Sequence, residues 1–412
     1  MSFSAGGTAQ FTMADGSISP VTDNDIDLGT ASLKYKSFFA GLTDTENFKV
    51  NGGQGDDGQV LTSTGSGVAW EDAAGGGPTF KTFGTDSIMV GDNATGTIDA
   101  ANYNTGLGVD IFADLTTGDN NTAVGYSSLP DLTTGSNNTG VGYTALFKNT
   151  TASNNTSVGY DTLFDNTTGH SNTAIGVSAL ANNTTALGNT AVGYQSLLTA
   201  TTATENTAVG YQAGVAITTG SGNNLFGQQS GDAITTGANN VCFGSFSMDL
   251  TAGVTGSANV TVGNSTMRQM TTGHSNSGLG NGVFVDNTTG ILNTAMGSTA
   301  QANTTTGTRN TAVGAETLNT NTTGEQNTAV GVSALTSSTT VSGNTGVGFQ
   351  AGQAVTTGGG TTAVGSEAGE LITTGNFNTV IGVVAGSNIS TGDRNICIGY
   401  DSGTSGSPSH IT

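Results

Sequence analysis

A glycine returns every 17 residues through most of this chain. It falls at Gly108, Gly125, Gly142, Gly159, Gly176, Gly193, Gly210, Gly227 and Gly244, and resumes at Gly263, Gly280, Gly297, Gly314, Gly331, Gly348, Gly365, Gly382 and Gly399. Every step is 17 residues except one of 19, from Gly244 to Gly263. One step back from Gly108 reaches Gly91, so about nineteen copies fill residues 85–403. A period this strict specifies a solenoid, in which each short unit buries its open sides on its neighbours. With the register glycine as zero, positions −3 to +4 read Thr-Ala-Val-Gly-Tyr-x-Ala-Leu. Strands of four to six residues fit such a coil and a helix of ten does not. Positions +8 to +10 read Thr-Thr-Gly, a second short strand or a corner whose glycine allows positive φ. In a strand, one threonine would point in and the other out. The expected fold is all-β, a parallel β-solenoid of 17-residue coils.

Composition offers disorder as a rival, with 66 glycines, 9% charged residues and 6% aromatics. It fails on the columns. An apolar residue precedes each register glycine, from Leu107 through Val124, Val141 and Val158 to Ile398. Position −4 is Asn in 17 of the 18 copies from Gly108 on, among them Asn121, Asn138, Asn155, Asn172 and Asn189, with Thr361 the exception. Buried amides at one position stack as a ladder and satisfy one another and the turns. Asn121, Asn138, Asn155, Asn172, Asn189, Val124, Val141, Val158, Gly125, Gly142 and Gly159 are therefore assigned to a structural ladder, not to chemistry. Positions −2 and 0, Ala and Gly, face opposite to −3, −1 and +1. Such a small-residue face gives either a thin core or a close approach between chains.

The copies also compensate one another. Leu146, Leu163, Leu180 and Leu318 at +4 occur with Asn149, Asn166, Asn183 and Asn321 at +7. Where +4 is Gly214, Gly231, Gly352, Gly369 or Gly386, +7 is Ile217, Ile234, Val355, Ile372 or Ile389. These are two ways to fill one core volume. Phe112 with Leu115 and Leu129 with Leu132 break the rule, so the first coils are expected to be wider. The 19-residue step is expected to form a bulged corner within residues 249–262.

Several function classes are disfavoured. Net charge is −21 with eight Lys+Arg, and only Lys148, Arg268, Arg309 and Arg394 lie in the repeats. Nucleic-acid binding needs basic patches to meet phosphate. An acidic surface repels anionic membranes, and no apolar run is long enough to insert in one. Met1-Ser-Phe-Ser-Ala has neither the basic nor the apolar part of a signal peptide. The glycines recur with a structural period and carry no phosphate-loop Gly-Lys-Ser/Thr. Asp and Glu hold no fixed place, unlike calcium-binding nonapeptide rolls. Cys242 and Cys397 sit at the Ala place, nine coils and roughly 40 Å apart at about 4.8 Å per coil, too far for a disulfide. They read as small buried residues. His170 and His274 read as turn residues six coils apart. Asp161, Asp165, Glu367 and Glu370 read as a solvated face. No cofactor, metal or catalytic group is expected. Tyr126, Tyr143, Tyr160, Tyr194 and Tyr211 share position +1 and should stack; exposed, such a ladder offers sugar rings a platform, and buried, it is packing. Adjacent threonines argue against an ice-binding Thr-x-Thr face.

Residues 1–80 differ. They hold ten of the acidic residues and Trp70, the only tryptophan. Alternation at 34–39 predicts a short strand or two. Gly58-Gln-Val-Leu-Thr-Ser-Thr-Gly-Ser-Gly-Val-Ala-Trp70 predicts two strands around a turn. Gly75-Gly-Gly-Pro78 marks a boundary, and 404–412 reads as a flexible tail. The domains are thus 1–80, 81–403 and 404–412.

The coil resembles a known family. Asn-Thr-Ala-Val-Gly is similar to the Asn-Ser-Val-Ala-Ile-Gly coil of YadA-like heads in trimeric autotransporter adhesins. It resembles still more the Asn-Thr-Ala-Val-Gly-Tyr and Thr-Thr-Gly repeats of bacteriophage fibre proteins. Asp27-Leu-Gly-Thr followed by Leu33-Lys-Tyr, and the segment ending at Trp70, also resemble phage tail-fibre segments. The resemblance covers most of the chain, and implies a trimeric, left-handed β-roll. The signal peptide and membrane anchor of an autotransporter are missing from the pattern, which favours a virion fibre. The implied protein is a structural, non-enzymatic bacteriophage tail fibre, extracellular on the virion. It would be a homotrimer joined to tail or adaptor proteins through residues 1–80, contributing to attachment to a host surface receptor or polysaccharide. Nineteen coils at about 4.8 Å give a shaft of roughly 90 Å. A bacterial surface adhesin or extracellular filament subunit is the runner-up; a tailspike polysaccharide hydrolase comes third.

Overall fold

The computed structural model describes residues 100–249 and 253–403 throughout and, before them, the backbone of seven strands. The chain divides into two compact units, Met1–Gly77 and Pro78–Thr412. In the first, β1 (Ser2–Ala5), β2 (Thr8–Ala14) and β3 (Ser17–Pro20) form an antiparallel sheet. There too, β4 (Gln59–Ser63) pairs antiparallel with β5 (Val68–Asp72), Ser63 opposite Val68. The strand expected at 34–39 and the tail 404–412 lie outside the described residues.

The second unit opens with β6 (Phe80–Phe83), antiparallel on β7 (Ser87–Gly91). From β7 onward every pairing is parallel: β8 (Thr105–Gly108) on β7, β9 (Thr122–Val124) on β8, and so on to β25 (Ile396–Ile398). Eighteen strands, β8 to β25, thus stack in sequence order as a parallel β-solenoid, and no helix occurs among the described residues. Register is kept coil by coil, Thr122 beside Thr139 beside Thr156, and Val124 beside Val141 beside Val158.

The strands are shorter than the pattern suggested. Each regular coil has one strand of three residues, and Thr-Thr-Gly is a corner rather than a second strand. The register glycine ends the strand. Its φ runs from +117° to +148°, where L side chains are strained. A Cβ on Gly142 would also lie 2.1 Å from the carbonyl oxygen of Gly159 in the next coil. Backbone stacks on backbone there in every copy but the last, and at Gly399 the φ of +117° alone calls for glycine. Past it, Ser127 and Leu129 also take positive φ, of 48° and 54°. Inter-coil hydrogen bonds offset that strain: Ser127 N donates to Val109 O (2.9 Å) and Leu129 N to Ala145 O (3.0 Å).

The core lies under position −2. Ala123, Ala174, Ala191 and Ala208 are fully buried, while −3 and −1 face outward. The small-residue face is therefore the thin core, and the Val124, Val141, Val158 column belongs to the outside of the coil. Cys242 and Cys397 take the Ala place, buried and unpaired. Thr133 is half-exposed and its hydroxyl donates to Thr150 O (2.9 Å), while Thr134 is exposed. Neither threonine points in, because the chain turns at this corner instead of running extended.

The volume exchange is visible in atoms. Leu146, Leu163 and Leu180 are buried with Asn149, Asn166 and Asn183. In the other coil type a Cβ on Gly369 would come within 2.8 Å of Ile372 Cδ1, so the isoleucine occupies the leucine's room. The first coils use a third route. Phe112 and Leu115 are both buried, and position −2 is Gly106, whose added Cβ would meet Phe112 Cδ2 at 3.3 Å and Ile111 Cδ1 at 2.7 Å. Likewise Gly140 makes room for Leu129, with a Cβ there 3.3 Å from Leu129 Cγ. At the long step, Val254 pairs with Ile234, and Thr235 N donates to Val254 O (2.9 Å). Thr218 N donates in the same way to Thr235 O (3.0 Å), so Val254 fills the +8 place. The two extra residues fall between Met248 and Val254.

Candidate functional site

The asparagine column is an internal rail. Asn138 N donates to Asn121 Oδ1 (2.9 Å), Asn155 N to Asn138 Oδ1 (3.0 Å), Asn172 N to Asn155 Oδ1 (2.9 Å) and Asn189 N to Asn172 Oδ1 (3.0 Å). Each side-chain amide also donates to a corner carbonyl one coil on, as Asn121 Nδ2 does to Gly135 O (3.0 Å). All five asparagines are fully buried. Three groups per coil are satisfied, so none of these five amides is left to meet a ligand, while at the last coil Asn395 Oδ1 is buried without a partner. Thr361 keeps half of this arrangement: its N–H donates to Asn344 Oδ1 (2.8 Å), but its buried hydroxyl has no partner.

A second rail escaped the sequence reading. At position −6, Asp119 N donates to Ser136 Oγ (3.0 Å), Ser136 N to Ser153 Oγ (2.9 Å) and Asn376 N to Asp393 Oδ1 (2.6 Å). Those amide donors hold the Asp393 carboxyl below its usual range. Ser, Asp and Asn share the ability to accept one hydrogen bond. That is a chemical regularity and not an identity, and it was legible only as a mixed polar column.

The outward strand face carries the most unusual surface. Leu107, Phe243 and Met296 at −1, and Tyr126, Tyr143, Tyr160, Tyr194, Tyr211 and Phe349 at +1, are all exposed. The tyrosines stack: ring centroids lie 5.2 Å apart for Tyr126–Tyr143, 5.3 Å for Tyr143–Tyr160 and 5.3 Å for Tyr194–Tyr211, with planes within 13°. Tyr143 alone has a ring on both sides, while Tyr126, Tyr160, Tyr194 and Tyr211 each stack on one neighbour. The ladder is exposed, so packing within the coil does not account for it, and aromatic surface remains open to solvent at its ends and edges.

Titratable groups are scattered. Lys148 Nζ pairs with Asp165 (2.7 Å) and lies over the Phe164 ring at 5.3 Å. Asp161 accepts from the Thr144 hydroxyl, and its charge raises the Tyr160 hydroxyl's pKa. His170 and His274 are exposed, each with Nδ1 3.3 Å from the next serine's hydroxyl. Glu367 and Glu370 are half-exposed. Burial pushes the Cys242 thiol up to about 11, making it a poor nucleophile. The closest cluster sits beside the long step. Arg268 Nε and Nη2 grip both oxygens of Asp249, at 2.9 and 3.1 Å. Asp232 accepts from Gln229 Nε2 (3.2 Å), its other oxygen is buried without a partner, and burial with the Asp249 charge pushes its pKa up to about 6. Among the described residues no three His, Cys, Asp or Glu side chains gather as a metal site, and no helix is long and apolar enough to cross a membrane.

Models of protein families, characterised proteins and solved structures offer no match to this chain.

Proposed function

We propose that this chain is a structural, non-enzymatic bacteriophage fibre protein: a homotrimer of left-handed β-rolls on the virion, extracellular to the host. Residues 1–80 would join it to tail or adaptor proteins, and the shaft would contribute to attachment to a host receptor or polysaccharide. The observation that carries this reading is the unbroken stack in which the Asn-Thr-Ala-Val-Gly segment recurs for a mechanical reason. Its asparagine makes the rail, its alanine the core and its glycine the close backbone approach. Such a rail gives stiffness along one axis, which is what a fibre requires. The resemblance of the coil to phage fibre repeats supplies the setting. Cryo-electron microscopy of purified phage particles tests it: the expected result is a three-fold rod of stacked coils fixed at residues 1–80. Recovery of the protein from the surface of phage-free bacteria, with none in particles, would favour the adhesin reading instead.

A further inference from the structure

The two ends of the stack are not alike. At the first, β7 carries β8 on one edge and the antiparallel β6 on the other. At the last, β25 pairs with β24 (Thr379–Ile381) and with no other described strand. Inside the stack each coil offers the next a fixed set of groups. Thr122 N donates to Asn138 O (2.8 Å), Gly142 N to Val124 O (2.8 Å) and Thr144 N to Tyr126 O (2.9 Å). In the last coil the matching groups, Ile396 N, Ile398 O and Tyr400 O, have no partner among the described residues. Two buried side-chain atoms lack partners at the same place. A rail asparagine accepts the N–H at −4 of the next coil, as Asn378 Oδ1 does from Asn395 N (2.9 Å), yet Asn395 Oδ1 accepts nothing. A serine at +3 donates to the carbonyl at −2 of the next coil, as Ser128 Oγ does to Gly140 O (2.9 Å) and Ser230 Oγ to Cys242 O (3.0 Å), yet Ser402 Oγ is unpartnered. One orphan is an acceptor and the other a donor, and a single further strand would satisfy both. The edge also lacks the usual protections. Native sheet edges carry charge, proline or a bulge, and the end repeats of solenoids turn polar. This strand reads Ile-Cys-Ile, with Ile396 where most copies have Thr. Ile398 and Tyr400, 68% and 81% exposed, are the most exposed large hydrophobics of the described residues.

We propose that β25 is a docking edge for a strand of another polypeptide, added in parallel as a next coil would be. The bound strand is defined by what it meets. Its N–H at −4 reaches Asn395 Oδ1, and its carbonyl at −2 receives the Ser402 hydroxyl. A small residue at −2 continues the core column beyond Cys397. Apolar residues at −3, −1 and +1 cover Ile396, Ile398 and Tyr400, with glycine between the last two. Main-chain bonds supply the affinity of such strand addition, and alternate side chains supply its selectivity. Counted in this register, residues 404–412 run from +5 to −4, so the carbonyl at −2 comes from outside these 412 residues. A second copy is disfavoured, because its first strand is closed by β6 and its charge of −21 repels. The proposal goes beyond the virion reading and does not depend on it.

The test uses the 412-residue chain and a synthetic peptide with the sequence of residues 119–135, one whole coil. A scrambled peptide is the control. The outward amides of Ile396 and Ile398 should gain hydrogen-exchange protection from the coil peptide and none from the scrambled one, with the amides of β24 unchanged. Ile398→Pro removes one outward N–H but keeps the bonds to β24, Thr379 N to Asn395 O (2.7 Å) and Gly399 N to Ile381 O (2.8 Å). It should weaken peptide binding by about tenfold or more while keeping the melting temperature. If that variant melts early, Ile396→Lys with Ile398→Lys puts charge on the edge and carries the same expectation. No protection at millimolar peptide overturns the proposal. So does protection of both amides in the chain alone: if it fades on dilution the occupant is a second copy, and if it does not the chain covers its own edge. The virion reading is decided separately, by the protein's presence in particles.

Discussion

The two sides of each coil follow different rules. From −4 to 0 the sequence barely changes: Asn in all copies but the one with Thr361, a short strand, then glycine in every copy. From +4 to +10 it changes freely, Leu with Asn in some coils, Gly with Ile in others, and Ala152, Ala186 or Ala203 where most coils have glycine. Both sides contribute buried residues, so burial does not explain the contrast. The strand side is fixed by direction. Its amides and carbonyls must point at given partners one coil away, and its glycine must lie against a backbone. The far side is fixed by volume, and volume can be supplied from either of two positions. Invariance among repeats therefore reports a constraint on direction, and paired variation reports a constraint on space.

The contrast is sharpest between two glycines in successive corners. An added Cβ would lie 2.1 Å from Gly159 O on Gly142 and 2.2 Å from Ala152 O on Gly135, nearly the same clash. Yet Gly142 also has φ +146°, and no copy replaces it. Gly142→Ala should cost about 4 kcal/mol or more by strain and backbone separation. Gly135→Ala should cost about 1 kcal/mol or less, because the chain already accommodates alanine in that place. Thermal unfolding of the two variants decides it. Equal losses would show that clash distance alone sets the rule.

Asn189→Ala breaks the rail in mid-shaft. It removes the acceptor for Asn206 N (2.9 Å) and Asn206 Nδ2 (3.2 Å) and the donor to Ala203 O (2.8 Å), all buried. Orphaned buried groups cost about 1–3 kcal/mol each, with partial relaxation, so a loss of about 3 kcal/mol is expected. Stability here is a sum over coils and interfaces. Hydrogen exchange should therefore quicken first in the coils beside Asn189, and uniform exchange along the shaft would contradict a local rail.

Much of this was legible in the sequence, and the remainder failed for identifiable reasons. The period gave the solenoid and its parallel register, since only stacked coils bring identical positions together. The exchange between +4 and +7 gave the core partners, because a missing leucine must be replaced by volume. The small-residue face leaves two readings open, a thin core or a close approach between chains, and the buried alanines decide for the first. In sequence Thr-Thr-Gly fits a strand or a corner, and the structure takes the corner, where strand alternation does not apply. The compensation of Phe112 by Gly106 was missed because it crosses from the variable side to the conserved side.

Volume exchange predicts its own repair. Leu163→Gly empties a buried site and should cost about 3 kcal/mol. Asn166→Ile alone should also destabilise, by crowding Leu163 and by removing the donor that Asn149 Oδ1 receives at 3.2 Å. The double variant recreates the Gly-Ile coil found at Gly214 and Ile217. It should recover about 2 kcal/mol of the summed loss in a double-mutant cycle. Additive losses would mean that the two positions do not share a volume.

A smaller effect is expected at the long step, where the far side is most irregular. The folded pKa of Asp232, about 6, exceeds its ordinary value of 3.8. The folded chain thus binds this proton more tightly. The resulting stability is fully present below pH 3.8 and is lost as pH rises through about 6. Asp232 is partly exposed, and after discounting for solvent screening the effect is about 1 kcal/mol. Asp232→Asn should remove that pH dependence and slow exchange in the neighbouring coils at pH 7.5. Protection factors that stay unchanged between pH 4 and 7 in the wild type would refute it.

The last prediction improves the conserved side. Thr361 is the one residue that departs from the rail, and its buried hydroxyl is unpartnered. In other coils the amide at this place donates to a corner carbonyl fourteen residues on, as Asn344 Nδ2 does to Gly358 O (3.1 Å). For Thr361 the equivalent acceptor is Gly375. Thr361→Asn should remove the orphan, add that bond and restore an acceptor for the next coil, for a gain of about 1 kcal/mol. Slower exchange confined to the coils around Thr361 is the expected readout. If exchange instead quickens, the room at that position is set by threonine's shape. The strand side would then tolerate exchange of volume after all, and the distinction between its two constraints would not hold.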